Sequence, residues 1–223
     1  TIDANSFYTE KIKLERTSGR LHLSTEFVGS WRDVTHDIAG RDVARIGSKI
    51  DWQNTSISSF GLEYGSNLEY NYDIFLVSQD SRYESSQALS SIGGNLYARY
   101  PLILNKINGK HLIEPIAQIA WGWREKSKVI SDESTHTEFD MGNLIKISRF
   151  AASDRYEDGT HGAYGLRYSY NKTNSHRLEL GLGKVLRKKS HNGFTDSSGL
   201  NKSNSDNYIT CLLYTSPSPR DRS

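Results

Sequence analysis

Residues 60–77 read FGLEYGSNLEYNYDIFLV. Taken two at a time, Phe60, Leu62, Tyr64, Ser66, Leu68, Tyr70, Tyr72, Ile74 and Leu76 form one row, while Gly61, Glu63, Gly65, Asn67, Glu69, Asn71 and Asp73 form the other. Successive side chains of a strand point to opposite faces, so as a strand this segment has one apolar and one polar face. An α-helix would wind both rows around its circumference and leave no distinct face. At ~3.3 Å per residue the stretch would exceed about 50 Å unbroken. Either it is one long barrel strand that projects beyond a bilayer, or Gly65-Ser66-Asn67 turns it into a hairpin, and the reading favours the hairpin.

Working outward, the same period of two recurs along the chain. Leu21, Leu23, Thr25 and Phe27 form a row, as do Ile46, Ser48, Ile50 and Trp52, and then Leu96, Ala98, Tyr100, Leu102 and Leu104. Later rows are Ile113, Pro115, Ala117, Ile119, Trp121 and Trp123; Tyr164, Leu166, Tyr168 and Tyr170; and Leu178, Leu180 and Leu182. Glu114 and Gln118, Arg167, and Arg177, Glu179, Gly181 and Gly183 occupy the opposite faces. Clusters rich in Ser, Asn, Asp and Gly, such as Gln79 to Ser91 and Lys188 to Asn207, separate the rows and read as loops.

Composition narrows the function. Hydrophobic residues make up 35% of the 223, few for a globular core, yet aromatic residues reach 11%, with 13 Tyr. That mixture favours sheet over helical bundle. A formal charge of +2 gives no large electrostatic bias toward nucleic acid or an anionic membrane surface. Cys211 is the only cysteine, which excludes a disulfide framework and a cysteine zinc site. The longest run of aliphatic and aromatic residues, Ile74 to Val77, falls far short of the ~20 residues of a membrane helix. Two settings accommodate the rows: a soluble sandwich, where apolar faces meet each other, and an outer-membrane barrel, where they meet lipid and the polar faces line a lumen. Tyr70, Tyr72, Trp121, Trp123, Tyr168 and Tyr170 at the ends of apolar rows favour the barrel, whether transporter or porin.

Ordered motifs lie between His111 and Tyr208. They are HLIEPIAQI at 111–119, EFDMGNLIKISRF at 138–150, SDRYEDGTHGAYGLRY at 153–168, LGLGKVLR at 180–187, SGL at 198–200 and SDNY at 205–208. Together they resemble the C-terminal barrel domain of the LptD family, the lipopolysaccharide-assembly or organic solvent tolerance proteins. Ile145 stands where that family usually has Phe, and Ala152 where it has Gly, two departures that bear on local turn geometry.

The resemblance implies an all-β, antiparallel outer-membrane barrel in a Gram-negative bacterium, integral and multi-pass. It would pass lipopolysaccharide from a periplasmic bridge of partner proteins into the outer leaflet, with an outer-membrane lipoprotein as plug. A complete member has on the order of two dozen strands. At roughly 9–11 residues per strand this chain supplies about ten to twelve, a partial barrel. Residues 1–210 are expected to belong to the barrel domain, with the motif-bearing part at 111–209. Met141 is the only Met, and Thr1 opens directly in strand-like sequence, so an internal piece of a longer protein is expected. Residues 211–223, CLLYTSPSPRDRS, change character abruptly and read as a translated library adapter outside the domain.

The lumenal or motif candidates are Glu114, Gln118, Asp140, Asn143, Arg149, Asp154, Arg155, Glu157, Asp158, Gly159 and Arg167. The charged cluster from Arg149 to Gly159 has two open readings. One is a buried network in which Arg149 or Arg155 forks onto a carboxylate; the other is a solvated loop ending at the turn dipeptide Asp158-Gly159. Pro115 marks an edge, a bulge or a weakened strand. His111 with Glu114, or His136, Glu138 and Asp140 on one face, offer no second ligand group at metal spacing, so no metal is expected. No Gly-x-Ser-x-Gly elbow occurs, and neither catalysis nor a cofactor is expected.

Overall fold

The computed structural model describes residues 2–14, 19–31, 42–107, 109–126, 137, 139–150, 152, 154–172, 176–205 and 207–215, with the backbone alone at 2–14, 176 and 213–215. The alternating rows become strands β1 (Ile2–Leu14), β2 (Gly19–Trp31), β3 (Asp42–Ile57), β4 (Glu63–Ser78), β5 (Ser86–Arg99), β6 (Leu102–Lys106), β7 (Gly109–Arg124), β8 (Gly159–Lys172), β9 (His176–Arg187) and β10 (Tyr208–Thr215). They make one antiparallel sheet in chain order, with β6 pairing β7 beside β5. The order begins at β1 and ends at β10 without closing. No helix among the described residues is long and apolar enough to cross a membrane, which says nothing of a barrel.

β5 and β6 occupy a single lane. Arg99 pairs with Ile116 and Leu102 with Ile113, so the register runs unbroken through Tyr100-Pro101. Tyr100 N–H still donates to Pro115 O at 3.1 Å. Proline has no N–H to contribute to a ladder, so Pro101 and Pro115 concentrate their missing donors in one gap. Pro115 is thus neither at an edge nor in a bulge; it sits inside the sheet, with Leu166 of β8 as its other partner. The ten strands fill nine lanes.

The hairpin expected at Gly65-Ser66-Asn67 is not there. β4 runs straight through those residues, and the chain turns at 58–62 instead. Gly61 adopts φ 91°, a conformation open mainly to glycine, and donates to Ser58 O at 3.0 Å. Gly65 is glycine for a different reason: a side chain there would meet the Tyr97 ring, its Cβ starting 2.6 Å from the Tyr97 hydroxyl. Phe60 and Leu62 consequently belong to the turn, and the loop expected from Gln79 to Ser91 ends at Ser86, where β5 begins.

Connections alternate in length. Residues 15–18, 58–62, 107–108 and 173–175 link strands at one end of the sheet; residues 32–41, 79–85, 125–158 and 188–207 link them at the other. Strand ends are staggered: the row that closes β3 and β4 at Ile57 and Glu63 passes through Arg99, Ile116, Gly165 and Gly183, well short of the Lys106–Gly109 turn. Such stagger accompanies strands tilted to a barrel axis.

The two faces differ completely. One is bare: Ile46, Ile50, Leu68, Leu96, Ile119, Trp121, Leu166 and Leu182 all stand exposed on it. The other is polar and is covered at the β5–β9 side by segments 139–158 and 188–205. A small core of Leu144, Phe150, Ala163, Val185, Phe194 and Leu200 forms beneath this cover. Along β7, burial alternates residue by residue from Glu114 to Trp123, as a sheet with two unlike surroundings requires.

Candidate functional site

Glycines on the covered face make room for the inserted segments. A Cβ at Gly183 would begin 3.0 Å from Leu144, and one at Gly122 2.9 Å from the Tyr156 ring. The inserted backbone then finds donors on the strands. Asn95 Nδ2 donates to Ile145 O at 3.1 Å, and Gln118 Nε2 to Lys146 O at 3.0 Å. Asn67, Asn95 and Gln118 are themselves chained, at 2.8 and 2.9 Å. Buried backbone carbonyls must be paired, and here an amide ladder on the sheet pairs them. Gly183→Leu should therefore evict Leu144, at roughly 1–3 kcal/mol of overpacking. The check is trypsin cleavage after the exposed Lys146, expected to accelerate while the strands stay intact.

Above the ladder lies a charged knot. Arg149 and Glu157, both fully buried, pair at 2.8 Å. The other Glu157 oxygen takes Arg187 Nε at 2.8 Å and lies 3.6 Å from His161 Nδ1. Each arginine also reaches backbone of an inserted segment: Arg149 Nη2 donates to Leu144 O and Arg187 Nη1 to Leu200 O, both at 2.9 Å. One carboxylate thereby holds segments 139–158 and 188–205 together. Burial, the largest influence, opposes ionisation of Glu157, but Arg149, His161 and Arg187 together outweigh it and hold its pKa below the ordinary 4.5. Phe150 stacks on Phe194 at 4.3 Å, with Arg187 over the Phe194 ring.

Beside this cover, the polar face of β2–β5 and the flank of segment 145–156 border a half-open cavity of about 520 Å³. Its floor consists of crossing ion pairs. Arg45, almost wholly buried, binds Asp73 at 3.0 Å and Glu26 at 2.7 Å. Lys49 binds Glu69 at 2.6 Å, and His22 meets Asp51 at 2.8 Å. Tyr156 donates to Glu69 at 2.7 Å, and burial together with that carboxylate pushes its phenol up, keeping it a donor. The cavity thus presents hydroxyl, amide and paired-ion groups, suited to a polar, hydroxyl-rich ligand.

The sequence candidates divide. Arg149 and Glu157 meet in the knot, and Asp154 is buried. Arg155 donates to Gly193 O at 2.8 Å and forks onto no carboxylate among the described residues. Asp158 is exposed, 3.0 Å from His191, and Gly159 (φ 85°) opens β8, so the turn reading describes these two. Asp140 and Asn143 cap each other's backbone N–H at 2.8 and 3.1 Å, a local turn. Glu114 pairs with Arg167 at 3.4 Å, and Arg99 joins it from β5 to Glu63 of β4, a chain of charges across the proline gap. Gln118 is in the amide ladder. His111 and Glu114 point to opposite faces, His111 bonding Tyr168 at 2.9 Å; His136 and Glu138 lie outside the described residues.

Sequence reasoning passed over Arg187 and His161, and it did not single out the Arg45 and Lys49 pairs; their inward parity was the available signal. A search of curated proteins gave no match. The family model of LPS transport system D, LptD, matches residues 6–210. With the rows, the antiparallel sheet and this match in agreement, the chain belongs to the LptD family, which transports and assembles lipopolysaccharide in the Gram-negative outer membrane.

Proposed function

We propose that residues 1–210 form a nine-lane part of a larger closed barrel, integral to the outer membrane, whose covered face lines the passage for the saccharide of lipopolysaccharide. The observation that carries this is the partition of charge. From β2 to β9 the bare face holds a single acid, Asp42, at the very end of β3, whereas the paired ions crowd the covered face. Hydrocarbon enforces that partition, because a charge on the lipid face is costly in proportion to its depth. Short connections mark the periplasmic end and long ones the outside.

The cavity on β2–β5, with Gln118, Arg149 and Glu157 holding its cover, is the segment of that passage we assign to sugars; Glu114 and Arg167 stand on the same face beyond it. An outer-membrane lipoprotein plug and periplasmic bridge proteins are the partners the family resemblance supports. Residues 211–223 we place outside the domain, supported by the change of composition at Cys211. β10 runs on to Thr215 by pairing with β9, a register that an extended segment such as Leu212-Leu213 supplies without family ancestry.

A photo-crosslinking residue tests the assignment in cells expressing the intact barrel protein. At Lys49, in the cavity, it is expected to capture lipopolysaccharide; at Ile113, on the bare face near the short turns, it is not. Capture at Ile113 and none at Lys49 overturns the reading.

A further inference from the structure

We infer that the short-turn end of the bare face binds the headgroup of an anionic phospholipid between Lys106 and Lys172, which flank Gly109 beside the rings of His111 and Tyr170. The inference rests on the barrel reading and adds a second ligand, on the outer wall instead of the lumen.

Register assigns only three lysines and no arginine to the bare face of β2–β9: Lys106, Lys172 and Lys184. Two of the three converge. Lys106 pairs with Gly109, and Lys172 stands one step past the Lys110–Asn171 pair on the other side of β7. They are therefore two lanes apart, about 9–10 Å. Between them Gly109 has φ 149°, and a side chain there would begin 2.6 Å from Asn171 O and 2.7 Å from the Tyr170 ring. Nothing but glycine fits, because the Tyr170 ring lies against its backbone; Gly109 is therefore buried, and the two exposed lysines flank the site above it.

Its floor is aromatic. His111 and Tyr170 lie 4.7 Å apart, and His111 Nδ1 is 2.9 Å from the Tyr168 hydroxyl. Tyrosines of this kind settle at the boundary of headgroup and acyl chain. Toward the membrane centre the same lanes present exposed Leu102, Leu104 and Ile113, a track for acyl chains. Among the described residues neither Lys106 nor Lys172 has an ion-pair partner. A phosphate between two three-donor ammonium groups satisfies both. The short turns face the periplasm, where the leaflet is phospholipid, which selects a phospholipid phosphate over that of lipopolysaccharide.

The experiment is a native mass-spectrometric titration of the intact, membrane-extracted barrel protein with phosphatidylglycerol, phosphatidylcholine and lipid A. Wild type is expected to retain phosphatidylglycerol in preference to the other two. Lys106→Gln and Lys172→Gln should each weaken that retention roughly fivefold, the equivalent of about 1 kcal/mol per charge at a membrane surface. Lys184→Gln, at the other end of the face, should leave it unchanged. Membrane-inserted protein with no preference, equal losses in all three variants, or a stronger hold on lipid A overturns the site while leaving the barrel standing. Wild-type protein that never enters the membrane overturns both.

Discussion

Replacing Glu157 by Gln is expected to loosen segments 139–158 and 188–205 together, by about 3–5 kcal/mol, the range for removing one partner of a buried ion pair. The substitution keeps shape and removes charge. Arg149 and Arg187 would then face each other across one site with no counter-charge, each still tied to a backbone carbonyl of a different segment. Amide hydrogen exchange of both segments should rise by about two to four orders of magnitude. Asp158→Asn, one residue away and exposed, should change little. Exchange that rises in one segment alone would show that the carboxylate does not join them.

The same knot sets a pH dependence. Glu157 has a folded-state pKa below its ordinary value, so its contribution is complete above pH 4.5 and is lost as pH falls through the depressed value. Both segments should keep their protection through mildly acid solution and release it only below the ordinary carboxylate range. In Glu157→Gln this acid step should be absent.

The faces of the strands were legible because parity is a local property. Glu114, Gln118, Arg167, Gly181 and Gly183 fall on the covered face, and Leu68, Trp121 and Leu180 on the bare one, as alternate positions require. Turns were less legible. Gly61 and Gly65 look alike in a single sequence, but one is fixed by its own φ and the other by Tyr97, a residue on the neighbouring strand. The knot was half visible for a similar reason. Arg149 and Glu157 sit in one charged cluster, whereas Arg187 reaches them only because β8 and β9 pair antiparallel. The glycines that seat Leu144 and Tyr156 carried no chemical label; they record the close approach of a segment from elsewhere in the chain.

Leu68→Arg is expected to hinder membrane insertion by about 2–4 kcal/mol, the cost of a cation near mid-bilayer on a barrel's lipid face. Leu68 is 50% exposed on the bare face, between Tyr64 on the side of the short turn and Tyr70 and Tyr72 on the side of the long connection. Its neighbours in the row are Trp52 and Gly94, neither of which offers a counter-ion. Leu180→Arg, at the corresponding depth of β9 and flanked on its own strand by Leu178 and Leu182, should behave alike. Gln53→Arg places the same side chain one strand from Leu68 but on the covered face, beside Asp51, and should insert as wild type does. The measurement is the folded, inserted fraction of the intact barrel protein in lipid vesicles against urea. A soluble sandwich would reverse part of the pattern, since apolar rows packed sheet against sheet would reject arginine equally with or without lipid. If both leucine variants insert like wild type, the bare face does not meet hydrocarbon; if they fail only where a bilayer is present, the exposed rows have met the solvent that selected them.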